Sequence, residues 1–163
     1  MKARIRIKVN ALSDPEMIEA FYAASQAGAR IEIVCRGICT LVPGLPEVSE
    51  RIRVVSVLGR FLEHSRVFSF QVGHEETVLI GSADLMPRNL DHRVEVLVPL
   101  EDQRLRDEVR SVFDLLLEDN TQAWELTQHG TWQRVRRAGR GRRVTHARLM
   151  SRARARARRS AAP

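Results

Sequence analysis

The chain has 163 residues, 44% hydrophobic and 29% charged, with two cysteines and a formal net charge of +7. That length supports one domain with a proper core rather than two, and two cysteines are too few for a disulfide scaffold. Neither a secretory leader nor an apolar run approaching the roughly 18 residues of a membrane helix is present, so the cytoplasm is the expected compartment. The charge is unevenly placed: residues 1–133 hold 15 basic and 20 acidic side chains, whereas the stretch from Arg134 onward holds twelve arginines and no acid. A run of that kind is ordinarily solvated and disordered, which makes it a weaker functional sign than a basic face.

Ile5, Ile7 and Val9 alternate with Arg4, Arg6 and Lys8, the period of a half-buried strand. Ser13 or Asp14 can then cap a helix with Pro15 in its first turn, and Met17, Ile18, Phe21, Tyr22 and Ala24 give it an apolar stripe up to Gly28. Ile31 to Cys35 reads as a second strand, and the strand, helix, strand order predicts parallel pairing with a right-handed crossover. After Pro43, Gly44 and Pro46 break the chain, Ile52 to Leu58 resumes as a third strand. Val67 to Val72 and Thr77 to Ile80 flank Gly73-His74-Glu75-Glu76 as a predicted hairpin, and Val94 to Val98 supplies a further β segment. From Glu101 to about Ala123, the positions Leu105, Val109, Val112, Phe113, Leu116 and Leu117 recur at helical spacing, which predicts a long amphipathic helix. Trp124 and Trp132 are expected to pack that helix and its exit against the body. The reading is an α/β/α layered domain over residues 1–137, with five or six strands in a mostly parallel mixed sheet. An Arg/Ala-rich tail, 138–163, follows. Its Arg152-Ala153-Arg154-Ala155-Arg156-Ala157-Arg158 repeat has no face to bury, so it is expected to be disordered or at most a transient helix.

Three polar clusters fall at predicted strand ends: Cys35-Arg36-Gly37-Ile38-Cys39, the block Gly59 to Arg66, and the run Gly81 to His92 that leads into Arg93. Small residues let backbone approach a ligand, and the accompanying Asp, Asn and Arg side chains point to phosphate chemistry. Arg36 directly follows a strand, at the end where α/β ligands usually bind; a salt bridge to Glu63 or Glu95 is the alternative. His64 taken by itself reads as a surface or capping histidine. Arg60 and Arg66 flank it as phosphate-track candidates. Asp84 could equally cap a turn, and Arg93 could pair with Glu95. The Cys35/Cys39 spacing has no second ligand pair, so no metal site is expected. His74, His92, His129 and His146 share no spacing and are expected to be solvated. The tail's arginines lack interleaved aromatics, which argues against a stacking platform for nucleic acid.

Taken in order and spacing, Asn10-Ala11-Leu12-Ser13-Asp14-Pro15, Ala24-Ser25-Gln26-Ala27-Gly28, Arg36-Gly37-Ile38-Cys39, Phe61-Leu62-Glu63-His64-Ser65-Arg66 and the block from Ser82 to Glu95 resemble the C-terminal, phospholipase-D-like catalytic domain of the long polyphosphate kinases. The resemblance covers roughly residues 3–137, and Leu149-Met150-Ser151-Arg152-Ala153 is similar to a family C-terminus. It implies reversible transfer of the terminal phosphate of ATP to polyphosphate, with magnesium and a phosphohistidine intermediate. It also implies that Arg36 and His64, 28 residues apart as in the family, contact ATP phosphates. Beside the paired H-x-K motifs of phospholipase D, His64-Ser65-Arg66 looks like a variant with Arg in place of Lys. His64 would then be an acid/base or phosphate-binding partner, with Arg60, Arg66, Ser82, Asp84, Arg88, Asn89 and Arg93 shaping the site.

In the family the phosphorylated histidine and the magnesium-holding arginines lie in a preceding domain, for which no matching motif occurs here. The chain is therefore expected to be a fragment, a truncated product or one piece of a split enzyme, needing a companion chain or possessing little activity alone. Homo-oligomerisation is the other partnership the resemblance allows. A contrasting expectation is a non-catalytic polyanion-binding module acting through the arginine tail, whose affinity would fall steeply with salt. A functionless remnant is the third.

Overall fold

The computed structural model describes residues 3–136 and 141–160. Its elements are β1 (Ala3–Val9), α1 (Pro15–Gln26), β2 (Arg30–Cys35), β3 (Ile52–Val57), β4 (Arg66–Val72), β5 (Glu75–Gly81), α2 (Pro87–Asp91), β6 (Leu97–Pro99), α3 (Gln103–Glu118), β7 (Ala123–Leu126), β8 (Trp132–Arg134) and α4 (Thr145–Ser160). The strands form one sheet in the order β6-β5-β4-β1-β2-β3-β7-β8.

The predicted strand, helix, strand unit is present. Asp14 caps α1, accepting from the Met17 amide at 2.9 Å, and Pro15 stands in the first turn, where its missing N–H costs nothing. β1 and β2 pair in parallel, as do β2 and β3. The expectation of a mostly parallel sheet is corrected, because every other neighbouring pair is antiparallel. The short connections between β4 and β5 and between β7 and β8 cannot make the crossover that parallel pairing requires. The strand count is eight. The two strands missing from the sequence reading are β7 and β8, which carry Trp124 and Trp132, so these tryptophans belong to the sheet rather than to a helix exit.

Helices cover both faces of the sheet, giving the expected α/β/α layers. On one face Ile7, Val9, Ile31, Ile33, Val54 and Phe68 pack beneath Phe21, Met17 and Ile18 of α1. On the other, Val34, Val55 and Val57 meet Phe113, Leu116 and Leu117 of α3. The β1 alternation is therefore real, but its charged side is covered as well: Arg6 is 6% exposed and Lys8 2%. Arg6 reaches Glu32 on β2 at 3.1 Å and Asp114 on α3 at 2.8 Å, and its guanidinium lies over the Phe113 ring. Charges buried in this way are paired because an isolated one would be prohibitively costly.

The tail provides the second correction. Residues Thr145–Ser160 form a docked helix rather than a disordered segment; positions 138–140 and 161–163 of the expected tail lie outside the described residues. Asp119, at the end of α3, fixes the new helix. Its carboxylate accepts from the Thr145 amide at 2.7 Å and from the amides of Thr121, Gln122 and Ala123, while the Thr145 hydroxyl donates to the Leu115 carbonyl at 2.7 Å. Burial would raise the Asp119 carboxyl, but this ring of backbone donors outweighs it and holds the group below the usual carboxylate range.

Candidate active site

The topology brings the three polar clusters to one end of the sheet. β1, β2 and β3 run in the same direction, so Asn10, Arg36 and the loop after Val57 share their carboxyl ends. β4 opposes β1 and β5 opposes β4, which places the start of β4 (Arg66) and the end of β5 (Gly81) there too.

Asp84 organises this end. It is buried, and its two oxygens take the Arg66 guanidinium in a forked pair, Nε at 3.2 Å and Nη2 at 3.0 Å. The Asn10 backbone amide, at 2.7 Å, and side-chain amide, at 3.2 Å, add to the same carboxylate. Burial pushes the Asp84 carboxyl upward, but Arg66 and Asn10 together overcome this and hold it below its ordinary value, ionised. The remaining Asn10 oxygen accepts from Arg36 Nε at 3.1 Å. Gly37 permits this closeness, since a Cβ there would stand 2.9 Å from the Asn10 carbonyl oxygen. Arg36 makes no ion pair with Glu63 or Glu95 among the described residues, which leaves the rest of its fork available to a ligand.

His64 is exposed beside this lattice. Arg66 Nη1 lies 3.0 Å from His64 Nδ1 and donates to its carbonyl at 3.1 Å. The same Nη1 stands 3.4 Å from Nε2, so a guanidinium that can only donate holds the exposed ring at the edge of the site, within reach of a phosphate oxygen. The loop bearing His64 is held through the preceding residue: Glu63 takes Lys8 Nζ at 3.2 Å on one oxygen and His146 Nε2 at 2.8 Å on the other, and Lys8 also donates to the Ser65 carbonyl at 3.1 Å. Burial drives the Lys8 ammonium below its usual value; Glu63 opposes this, and the neighbouring charges of Arg36 and Arg66 reinforce it. Gly59 lets the same loop close on α4, because a Cβ there would be 2.7 Å from His146 Nδ1.

The other sequence candidates divide. Ser82 donates to Glu95 and accepts from the Val96 amide at 3.1 Å, and Asn89 donates to Glu95 at 2.7 Å. These donors hold the Glu95 carboxyl below the ordinary range. Glu95 is thus occupied, and no ion pair with Arg93 forms among the described residues. Arg88 and Arg93 are exposed around the same end. Arg60 turns toward α4, its guanidinium over the Phe61 ring at 5.9 Å. Lys8, Asn10, Glu63 and His146 were not picked out as site residues. Asn10 and Glu63 carried a usable signal, since both stand inside runs that resemble the family, and Lys8 a weaker one as a lysine on a charged strand face two positions before such a run. His146 corrects the expectation of a solvated histidine: it is 2% exposed, whereas His74, His92 and His129 are exposed. Among the described residues no cluster of three or more His, Cys, Asp or Glu could hold a metal ion.

A layered α/β domain with an exposed histidine and fixed arginines at the carboxyl ends of its central parallel strands is a phospholipase-D-like architecture. The Nuc protein of Salmonella typhimurium, a phospholipase D family member, superposes with a TM-score of 0.58 at 17% identity, over 77% of this chain and 83% of its own, a likeness of fold. A polyphosphate kinase structure from Porphyromonas gingivalis superposes with a TM-score of 0.91 at 34% identity, over 95% of this chain and 24% of that one. The family profile described as polyphosphate kinase C-terminal domain 2 matches residues 1–146. The chain belongs to the polyphosphate kinase family, a family of transferases. The polyphosphate kinase of Synechocystis sp. is 55% identical over 135 residues, 83% of this chain and 18% of the relative. That of Pseudomonas aeruginosa is 50% identical over 137 residues, 84% of this chain and 20% of the relative. The chain therefore spans about a fifth of the length of these relatives. No helix among the described residues is long and apolar enough to cross a membrane.

Proposed function

We propose that this chain supplies the C-terminal half of the ATP and phosphate site of a polyphosphate kinase, which transfers the terminal phosphate of ATP reversibly to polyphosphate, and that the phosphohistidine-bearing half lies outside these 163 residues. The observation that carries the reading is the convergence of Arg36, His64 and Arg66 at one sheet end on a carboxylate-anchored lattice. Phosphoryl transfer asks a protein mainly for positioning and charge neutralisation, and arginine serves both by gripping two phosphate oxygens while staying protonated.

In this assignment Arg36 binds a phosphate of ATP. His64 donates a ring N–H to a phosphate oxygen or, as the imidazolium, protonates the departing one, the general-acid role of a histidine. Arg66 is a positioning residue, tied to Asp84 and turning the His64 ring. Ser82 and Asn89 position Glu95 at the rim; Arg88 and Arg93 add positive charge there. Magnesium accompanying ATP would be held by the half that carries the phosphohistidine, with one or two carboxylates and the ATP phosphates as its ordinary ligands.

Exposed Val96, Val98 and Leu105 line an apolar groove of about 710 Å³ between β6 and α3, whose lining also includes Lys8 and Arg66. Contiguous apolar surface beside a polar site is a mark of an interaction face, and its position suits the companion half. Cytoplasmic work fits an ATP-dependent reaction.

Calorimetric titration of ATP and of tripolyphosphate into the chain tests the reading. Arg36→Ala and His64→Ala should each weaken binding by about tenfold, the scale of a lost charge-assisted hydrogen bond. Unchanged affinity in both variants would remove the site from this sheet end.

A further inference from the structure

The arginine-alanine repeat of α4 has a geometric consequence. At 100° per residue, arginines two apart lie on opposite sides of a helix and arginines four apart lie on the same side. Arg152 and Arg156 face α3, where Arg152 donates to the Ser111 hydroxyl at 3.0 Å and Arg156 pairs with Glu108. Arg154 and Arg158 face away from them and line a groove of about 570 Å³ whose opposite wall is Arg60, with His146, Met150 and Ser151 between. None of Arg60, Arg154 and Arg158 pairs with a carboxylate among the described residues, although 20 acids are present in the chain. Three cations gathered around one groove repel one another, an arrangement suited to an anion.

The groove also leads to the candidate active site. Arg60 sits four residues before His64, the Phe61 ring packs 5.4 Å from the His146 ring, and His146 holds Glu63, the neighbour of His64. At 1.5 Å rise per residue, Arg154 lies about 12 Å and Arg158 about 18 Å along the helix from His146. Positive charge is thus spaced along a line from the His64 loop outward. The family profile ends at residue 146, so Arg154 and Arg158 lie beyond it and Arg60 within it.

We infer that the α4 groove is a binding track for linear polyphosphate, with Arg60, Arg154 and Arg158 gripping successive phosphates of a chain whose end approaches His64. This rests on the proposal that the chain handles polyphosphate. A linear polyphosphate is favoured over nucleic acid because the groove's lining holds no Phe, Tyr or Trp, and the neighbouring Phe61 ring is engaged by His146 and Arg60 rather than set in a series on which bases could stack.

The test is binding of size-fractionated polyphosphate to the full 163-residue chain at several salt concentrations, comparing wild type with Arg154→Ala/Arg158→Ala. An Arg51→Ala/Arg104→Ala variant removes the same charge from exposed positions elsewhere. The track predicts at least tenfold weaker binding and a salt slope shallower by about 1.4 for the first pair, taking the single-strand factor for two lost contacts. The control pair should stay within about twofold of wild type, and circular dichroism should show α4 retained in both. Equal behaviour of the two variants would overturn the track, as would binding of duplex DNA with the same affinity and the same arginine dependence. ATP titrations separate the two claims. If His64→Ala weakens ATP binding while the Arg154/Arg158 pair leaves polyphosphate binding untouched, the track fails and the site stands. The reverse pattern keeps the track and removes the site.

Discussion

The two faces of β1 are buried by different means. Ile5, Ile7 and Val9 enter a continuous apolar layer beneath α1, whereas Arg4, Arg6 and Lys8 enter a layer of ion pairs beneath α3. The first face is indifferent to partner geometry within limits of volume; the second is not, because each buried charge depends on a particular neighbour. That face also continues into the candidate active site, since Lys8 holds both Glu63 and the Ser65 carbonyl on either side of His64. One strand thus stabilises the domain with one side and fixes the geometry of the His64 loop with the other.

Breaking the charged face should have the largest effect. Glu32 takes Arg4, Arg6 and Arg30 together, so Glu32→Ala removes a carboxylate shared by three arginines, leaves the buried Arg6 with Asp114 alone and should cost about 4 kcal/mol in denaturant unfolding. Replacing the pair as Arg6→Met/Glu32→Leu should cost clearly less, because both charges leave together. The same layer should be acid-sensitive. Burial would raise Glu32, but its arginines prevail and hold its carboxyl below the unfolded value. A depressed carboxyl contributes stability that is complete above the unfolded pKa, near 4, and is lost as pH falls through the folded one. Unfolding midpoints should accordingly drop below about pH 4 in the wild type and less so in the double variant.

On the apolar face, Ile7→Ala should cost about 3 kcal/mol by loss of buried methyl groups and the cavity left behind, with no change in the ATP affinity of the folded fraction. Lys8→Met sharpens the contrast. The ammonium takes its own burial cost with it and Glu63 keeps His146, so stability should fall by about 2 kcal/mol, less than for a fully stranded charge, while ATP binding should weaken several-fold as Glu63 and Ser65 lose their tether. Smallest is His146→Gln, for which a loss of about 1 kcal/mol and a modest loosening of ATP binding are expected; an unchanged affinity there would confine His146 to a structural role.

Local pattern made much of this legible. The β1, α1, β2 unit, the β4/β5 hairpin and the three clusters at strand ends follow from periodicity, a capping Asp14 and small residues at chain reversals. What escaped was set by contacts distant in sequence. The charged side of β1 has the alternation of a solvent-facing strand, and only the later placement of α3 covers it. β7 and β8 are four and three residues long, too short to show a period. The α4 repeat lacks an apolar stripe because its docking is polar, through Asp119, Glu108 and Ser111, and His146 became a partner of Glu63 only through an 83-residue closure.

The most direct measurement is polyphosphate synthesis by this chain co-expressed with the remainder of the Synechocystis polyphosphate kinase, lacking its matching 135 residues. The account predicts synthesis from ATP only when both chains are present, falling by about 100-fold or more with His64→Ala, the scale of a lost acid catalyst. A co-purifying pair that makes no polyphosphate, or one whose rate ignores His64, would contradict it.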